Sequence, residues 1–335
     1  YYRESIGGQV LQEGINEAGA VSDWIAAATS YSNHNVQMIP FFISYSMFGM
    51  QRTMDLCWAA GDQRARGFII GGTAGRTTLN GEGLQHQDGH SLILSGLIPN
   101  CMSYDPTFAF EVAVIMQDGM RRMFQEQEDV FYYLTVMNEN YEHPDMPAGA
   151  EQDIIKGMYQ LKKGASGGKH RVQLLGCGTI FREVIAAAGL LKQDWNVDAD
   201  LWGCPGFNEL ARDGNDVARW NLLHPQETPR QSHVEKCLDN APQGPVIAAT
   251  DYVRLYAEQI RPFINGRRYV TLGTDGYGRS DTREALRSFF EVDRYWVTLA
   301  ALKALADDGA IERSQVAEAI AKYGIDVNKP NPLTV

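Results

Sequence analysis

The chain has 335 residues, 44% of them apolar and 21% charged, enough to bury two cores at an ordinary globular composition. Its net charge of −11, with no basic stripe anywhere along it, excludes nucleic acid as the expected partner, because phosphate binding needs clustered Lys and Arg. No uninterrupted apolar run of about 18 residues predicts a membrane-crossing helix, and five cysteines without a Cys-x-x-Cys pair read as reduced thiols of a cytoplasmic protein.

The first stretch with chemical content is Gly-Ile-Asn-Glu-Ala-Gly at 14–19. Ala18, Ala20, Val21, Trp24, Ile25 and Ala28 have three-and-four spacing, which puts Glu17 at the mouth of a helix with a buried stripe. Two readings of Glu17 stand at this point. It is a first-turn or N-cap glutamate that complements the helix dipole. Or it is a carboxyl group walled in by glycine, alanine and aliphatic neighbours, desolvated and so able to hold or donate a proton. An apolar run over 38–44 predicts a strand, and after a turn Met54, Leu56, Cys57 and Trp58 predict a helix. Tyr45 and Phe48 then lie at the carboxyl end of a strand, where open α/β sheets bind ligands, although aromatics there are also ordinary core residues. Arg52 and Asp55, one helical turn apart, read as an intrahelical or interdomain ion pair.

Residues 67–71 read as a short buried strand, and the glycine-punctuated loop over 75–90, dense in ionisable groups, as a functional loop. His86, Asp88 and His90 have the look of a metal-ligand triplet, but no further His or Cys lies nearby in sequence to complete a shell, and Asp88 and His90 read as loop-fixing residues. His143 and His224 read as surface or structural. Strands over 101–104 and 130–136 bracket a helix over 107–124, with Asp105 as its expected N-cap and Pro106 at its first position. Such alternation is the signature of a parallel sheet covered on both faces.

A polar, proline-marked loop over 137–147 closes a first domain at 1–150. A helix over 151–163 and the glycine-rich 164–169 then make a connecting helix and linker, 151–170. Over 171–335 the alternation repeats, with strands at 172–175, 200–202, 245–249 and 269–272 and helices at 181–192, 208–219, 252–260, 282–290, 295–306 and 313–323. The expected fold class is therefore α/β, two doubly wound domains with largely parallel sheets. Gly176-Cys-Gly178 lacks the remainder of a dinucleotide fingerprint and reads as a turn. The glycine-rich 273–278 leads through Arg279, Ser280 and Asp281 into a helix whose start suits an N-cap and an anion.

Three of these stretches resemble the pyrimidine-binding domain of thiamine-diphosphate enzymes. They are 14–19, Phe48-Gly-Met-Gln-Arg-Thr-Met-Asp55, and Gly83-Leu-Gln-His-Gln87. Longer stretches, at 12–19, 71–86 and 272–284, resemble one family of that superfamily, the decarboxylating components of bacterial pyruvate dehydrogenase complexes in their single-chain, homodimeric form. The similarity covers essentially the whole chain. The resemblance implies a pyrimidine domain followed by a transketolase-like carboxy-terminal domain, together the carboxy-terminal portion of a longer enzyme.

It also implies an activity: oxidative decarboxylation of pyruvate with reductive acetylation of the lipoyl group of the dihydrolipoyl acetyltransferase, feeding acetyl-CoA synthesis. The implied cofactors are thiamine diphosphate and Mg²⁺. By the same resemblance Glu17 sets the tautomer of the cofactor's aminopyrimidine, and Tyr45 and Phe48 form the wall on which that ring packs. His86 would stabilise or protonate the pyruvate-derived oxygen, with Glu82 assisting by orientation or proton relay. The Gly-Asp-Gly and Asn-Asn pair of the magnesium-diphosphate site does not occur in the sequence. Diphosphate and metal ligands are accordingly expected on an amino-terminal domain of the other subunit, and the chain alone is expected to bind cofactor weakly and to be inactive. Two alternatives remain: a transketolase-like carbon transferase, which would share Glu17 and the histidine loop, and a non-catalytic dimerisation or docking module.

Overall fold

Strands that read as apolar runs form two sheets, each covered by helices. The computed structural model describes residues 3–80 and 82–335. In it β1 (Phe41–Tyr45), β2 (Phe68–Gly72), β3 (Cys101–Tyr104) and β4 (Phe131–Thr135) make a parallel four-stranded sheet in the order β1-β2-β4-β3. β4 pairs with a strand on each side, and all of its residues are buried, which is why it reads as an unbroken apolar run rather than an alternation. The second sheet holds β5 (Tyr159–Lys162), β6 (His170–Gly176), β7 (Val197–Gly203), β8 (Val246–Ala249) and β9 (Tyr269–Leu272), in the order β5-β7-β6-β8-β9. Its strands are parallel except β5, which runs antiparallel to β7. The α/β class and the two largely parallel sheets are as the alternation predicts. Among the described residues no helix is long and apolar enough to cross a membrane.

The two sheets share a core. One apolar cluster runs from Trp24, Ile69 and Phe131 beside the first sheet to Trp202, Phe207 and Tyr256 beside the second. A polar network lies alongside it. Asp251, after β8, accepts the backbone N–H of Thr77 at 3.1 and 3.2 Å, and Arg287 is paired with Glu139 and lies 3.7 Å from Glu183. Burial opposes ionisation of Glu139, but Arg287 and Arg182 outweigh it and hold the carboxyl below its usual range.

Three local expectations need correction. The helix expected over 151–163 is only Glu151–Lys156. Gly157 stops it in the left-handed region at φ 99°, where a Cβ would stand 2.5 Å from the Gly206 carbonyl oxygen, and Tyr159 then enters β5 fully buried. The stretch 164–169, expected as a linker, is the connection from β5 to β6, and its Gly164 and Gly168 N–H groups donate to Asp200 and Asp198 of β7 at 2.7 and 2.6 Å. Asp105 does not cap the helix that follows it. That helix is Ala109–Met120, its cap is Phe108, and the carboxylate of Glu111 receives the N–H groups of Thr107 and Phe108 instead. Asp105 is buried and accepts from the Thr135 hydroxyl at 2.6 Å.

Candidate active site

Three elements converge at the carboxyl ends of β1 and β2. The helix Glu17–Ala28 is capped by the Asn16 side chain, which accepts from Gly19 N–H at 3.1 Å and leaves Glu17 in the first turn. β1 ends at Tyr45 and turns directly into the helix Ser46–Asp62, so Tyr45 and Phe48 sit on either side of the junction. β2 ends at Gly72 and releases the long loop that carries the single 3₁₀ turn Leu84–His86. In open α/β sheets these strand ends are where ligands bind.

The side chains form one unbroken series of contacts. Arg52 donates from Nη1 to Glu17 Oε1 at 2.9 Å, and its guanidinium lies 4.3 Å from the centroid of the Phe48 ring. Phe48 meets the His86 ring edge to face at 4.8 Å, and Tyr45 meets it likewise at 5.4 Å. Glu17, Tyr45, Phe48 and His86 are thus brought together, with Arg52 as the link. Glu82 is placed in the same loop; its carbonyl accepts from the Ser280 hydroxyl at 2.7 Å, and its carboxylate makes no hydrogen bond to a described residue.

Two readings change here. Glu17 is not walled in by apolar atoms: its side chain keeps 19% exposure and faces a guanidinium. Arg52 pairs with Glu17, 35 residues away, and not with Asp55. The pair is cheap to open, because Arg52 is 54% exposed and such surface ion pairs contribute about 0–1 kcal/mol. The carboxylate can therefore exchange Arg52 for another hydrogen-bond donor. Tyr45, half-exposed, and Phe48 offer aromatic surface beside it, and the buried Nδ1 of His86 has no hydrogen-bond partner among the described residues. Aromatic surface, a carboxylate and an imidazole with an open hydrogen-bonding position suit a flat heterocycle bearing N–H groups.

Asp88 and His90 are engaged elsewhere. The Asp88 carboxylate accepts the N–H groups of His90 and Ser91 at 3.0 and 2.9 Å, and His90 Nε2 is 2.6 Å from Gln51 Oε1. Among the described residues no group of three or more His, Cys, Asp or Glu side chains is placed to hold a metal ion.

The desolvated acids of this protein lie deeper. Burial pushes the carboxyl groups of Asp105 and Asp251 up to about 7. Sequence reading missed both, since their burial comes from packing between the two sheets; the only signal was that each follows a buried strand. Because the folded value is raised, the folded chain keeps protons that the unfolded chain releases near pH 4. That contribution is fully present below about pH 4 and is lost as pH rises through about 7. Asp105→Asn, which preserves the acceptor for Thr135, is expected to gain a few degrees in thermal midpoint relative to the parent between about pH 5 and about pH 8. A difference between the two proteins that stays constant across that range would mean Asp105 does not titrate there.

Comparison with known proteins agrees with this architecture. Residues 1–144 match the model of the pyruvate dehydrogenase E1 component middle domain, and residues 157–293 that of the transketolase-like TK C-terminal domain. A pyruvate dehydrogenase E1 component from Cupriavidus necator is 74% identical over all of this chain, and one from Pseudomonas aeruginosa is 65% identical over 99% of it. The chain spans 37% and 38% of the length of these two relatives. The structure of a transketolase from Leishmania mexicana superposes with a TM-score of 0.64 at 14% identity, covering 88% of this chain and 37% of that one, a likeness of fold alone. The chain therefore belongs to the family of the pyruvate dehydrogenase E1 component.

Proposed function

We propose that this chain supplies the pyrimidine-binding part of the active site in a thiamine-diphosphate-dependent enzyme that decarboxylates pyruvate and transfers the two-carbon unit to the lipoyl group of a dihydrolipoyl acetyltransferase. The observation that carries the reading is the contact series Glu17–Arg52–Phe48–His86–Tyr45 at the ends of β1 and β2. Thiamine diphosphate, when bound, supplies the carbon nucleophile and the electron sink that pyruvate decarboxylation requires. The chain's own residues do the rest. Glu17, released from Arg52, would hold the pyrimidine and govern its tautomer. Tyr45 and Phe48 would hold the ring by its faces. His86 holds or delivers a proton at the pyruvate-derived oxygen, and Glu82 assists by orientation or relay.

The diphosphate and Mg²⁺ are assigned to chain beyond this sequence, on the second subunit of a homodimer, in keeping with relatives nearly three times as long. The proposed setting is the bacterial cytoplasm, within a pyruvate dehydrogenase complex. Assaying the full-length enzyme for carbon dioxide release from pyruvate and for ketol transfer from sugar phosphates separates this reading from a transketolase-like one. Release from pyruvate with acetyl transfer to a lipoyl domain is expected; ketol transfer in its place would overturn the assignment. The present chain alone is expected to bind thiamine diphosphate weakly in a titration with Mg²⁺.

A further inference from the structure

Among the described residues no side-chain hydrogen bond fixes the His86 ring. The residue ends a single 3₁₀ turn held by two backbone bonds, His86 N–H to the Gly83 carbonyl at 2.9 Å and Gln87 N–H to the Leu84 carbonyl at 3.2 Å. Its ring touches Tyr45 and Phe48 edge to face, contacts that tolerate sliding, and its Nδ1 has no partner among the described residues. The anchor is the next residue. Gln87 is buried, with 1% exposure, and its carboxamide does two jobs at once. Nε2 donates to the Leu79 carbonyl at 3.1 Å and to the Arg279 carbonyl, while Oε1 accepts the Arg279 N–H at 2.6 Å. This reciprocal pairing with the N–H and C=O of one residue imitates a strand-to-strand bridge, and only a carboxamide can both donate and accept in that way.

The facing segment fits the turn closely. A Cβ on Gly278 would stand 2.5 Å from the Leu84 carbonyl oxygen and 2.9 Å from Gln87, so the two backbones abut. Ser280 adds its hydroxyl to the Glu82 carbonyl at 2.7 Å. Residues 278–280 follow β9 and belong to the part of the chain built on the second sheet, 192 positions from Gln87.

We propose that Gln87 is a positioning residue through which the second sheet's domain sets the place of the His86 ring. The inference gives that domain a role in the site, and its consequence for catalysis rests on the function proposed for His86. Its test does not. Hydrogen exchange and ¹H–¹³C spectra of the histidine rings, the His86 signal assigned through His86→Gln, are compared between the parent chain and Gln87→Glu, without cofactor. The glutamate keeps the size and loses both donors.

Exchange of the amides over 82–90 is expected to rise at least about tenfold while those of β4 and β8 keep their protection. The His86 ring signal should broaden or double. Ser280→Ala, which removes one bond from the opposite side, should raise exchange over the same residues, and it takes over the test if Gln87→Glu does not fold. Unchanged exchange over 82–90 with an unchanged ring signal would overturn the proposal, as would an equal rise in β4 and β8, which would make Gln87 a general stabiliser. If Glu17→Gln leaves pyruvate turnover intact while these readouts behave as expected, the functional assignment fails and the positioning role stands.

Discussion

Glu17→Gln in the full-length enzyme is expected to lower carbon dioxide release from pyruvate by at least about 100-fold, with the thermal midpoint within a few degrees of the parent. The substitution keeps the shape of the side chain and removes an oxygen that can carry a proton, which is the property the proposed role uses. Stability should hardly register the change. Among the described residues the carboxylate is paired with a half-exposed Arg52, and the loss of such a pair costs about 0–1 kcal/mol. Steady-state turnover with pyruvate and a thermal melt decide the matter together. Near-normal turnover in a folded variant would remove Glu17 from the chemistry, and a collapse of the melt would mean that the residue is structural.

The largest effect on stability is expected from Arg287→Leu. Arg287 is 7% exposed and pairs with Glu139, which is 11% exposed; it also lies 3.7 Å from Glu183 and 3.3 Å from the Thr77 hydroxyl. Removing one partner of a buried pair leaves the other charge without full compensation, at a cost of about 3–5 kcal/mol. Arg182 and Arg283 still reach Glu139, so the lower end of that range is expected. Because Thr77 belongs to the loop after β2 and Arg287 to the helix Arg283–Phe289, the loss is felt where the loop meets the second sheet's domain. Denaturant unfolding of the two proteins at neutral pH measures it. A midpoint shift equivalent to less than about 1 kcal/mol would show the network to be no better than a surface ion pair.

These two predictions also mark what was legible in the sequence. Glu17, Tyr45, Phe48 and His86 could be picked out because each lies in a glycine-punctuated or strand-ending stretch, and the alternation of apolar runs with helical spacing located eight of the nine strands found among the described residues. The environment of Glu17 could not be read. Its neighbours along the chain are apolar, but its neighbour in space is Arg52, brought in by the packing of the helix Glu17–Ala28 on the helix Ser46–Asp62. The same limit hid Asp105 and Asp251, whose desolvation arises between sheets. β5 was lost for a different reason. Met158, Tyr159 and Leu161 satisfy a helical and an alternating pattern equally well over so few residues, and the choice is made by Gly157 and by pairing with β7. Nor does any local pattern announce that Gln87 reaches Arg279, since a side-chain amide bonding a distant peptide leaves no periodic trace.

Glu17, Tyr45, Phe48 and His86 are proposed to make one receptor for a flat pyrimidine. A crystal structure of the full-length enzyme with thiamine diphosphate and Mg²⁺ tests it most directly. The expected result is the Glu17 carboxyl group within about 2.6–3.2 Å of a pyrimidine ring nitrogen, the ring packed on Phe48 or Tyr45, and Arg52 displaced from Glu17. A cofactor bound elsewhere, with the Glu17–Arg52 pair still closed, would contradict it.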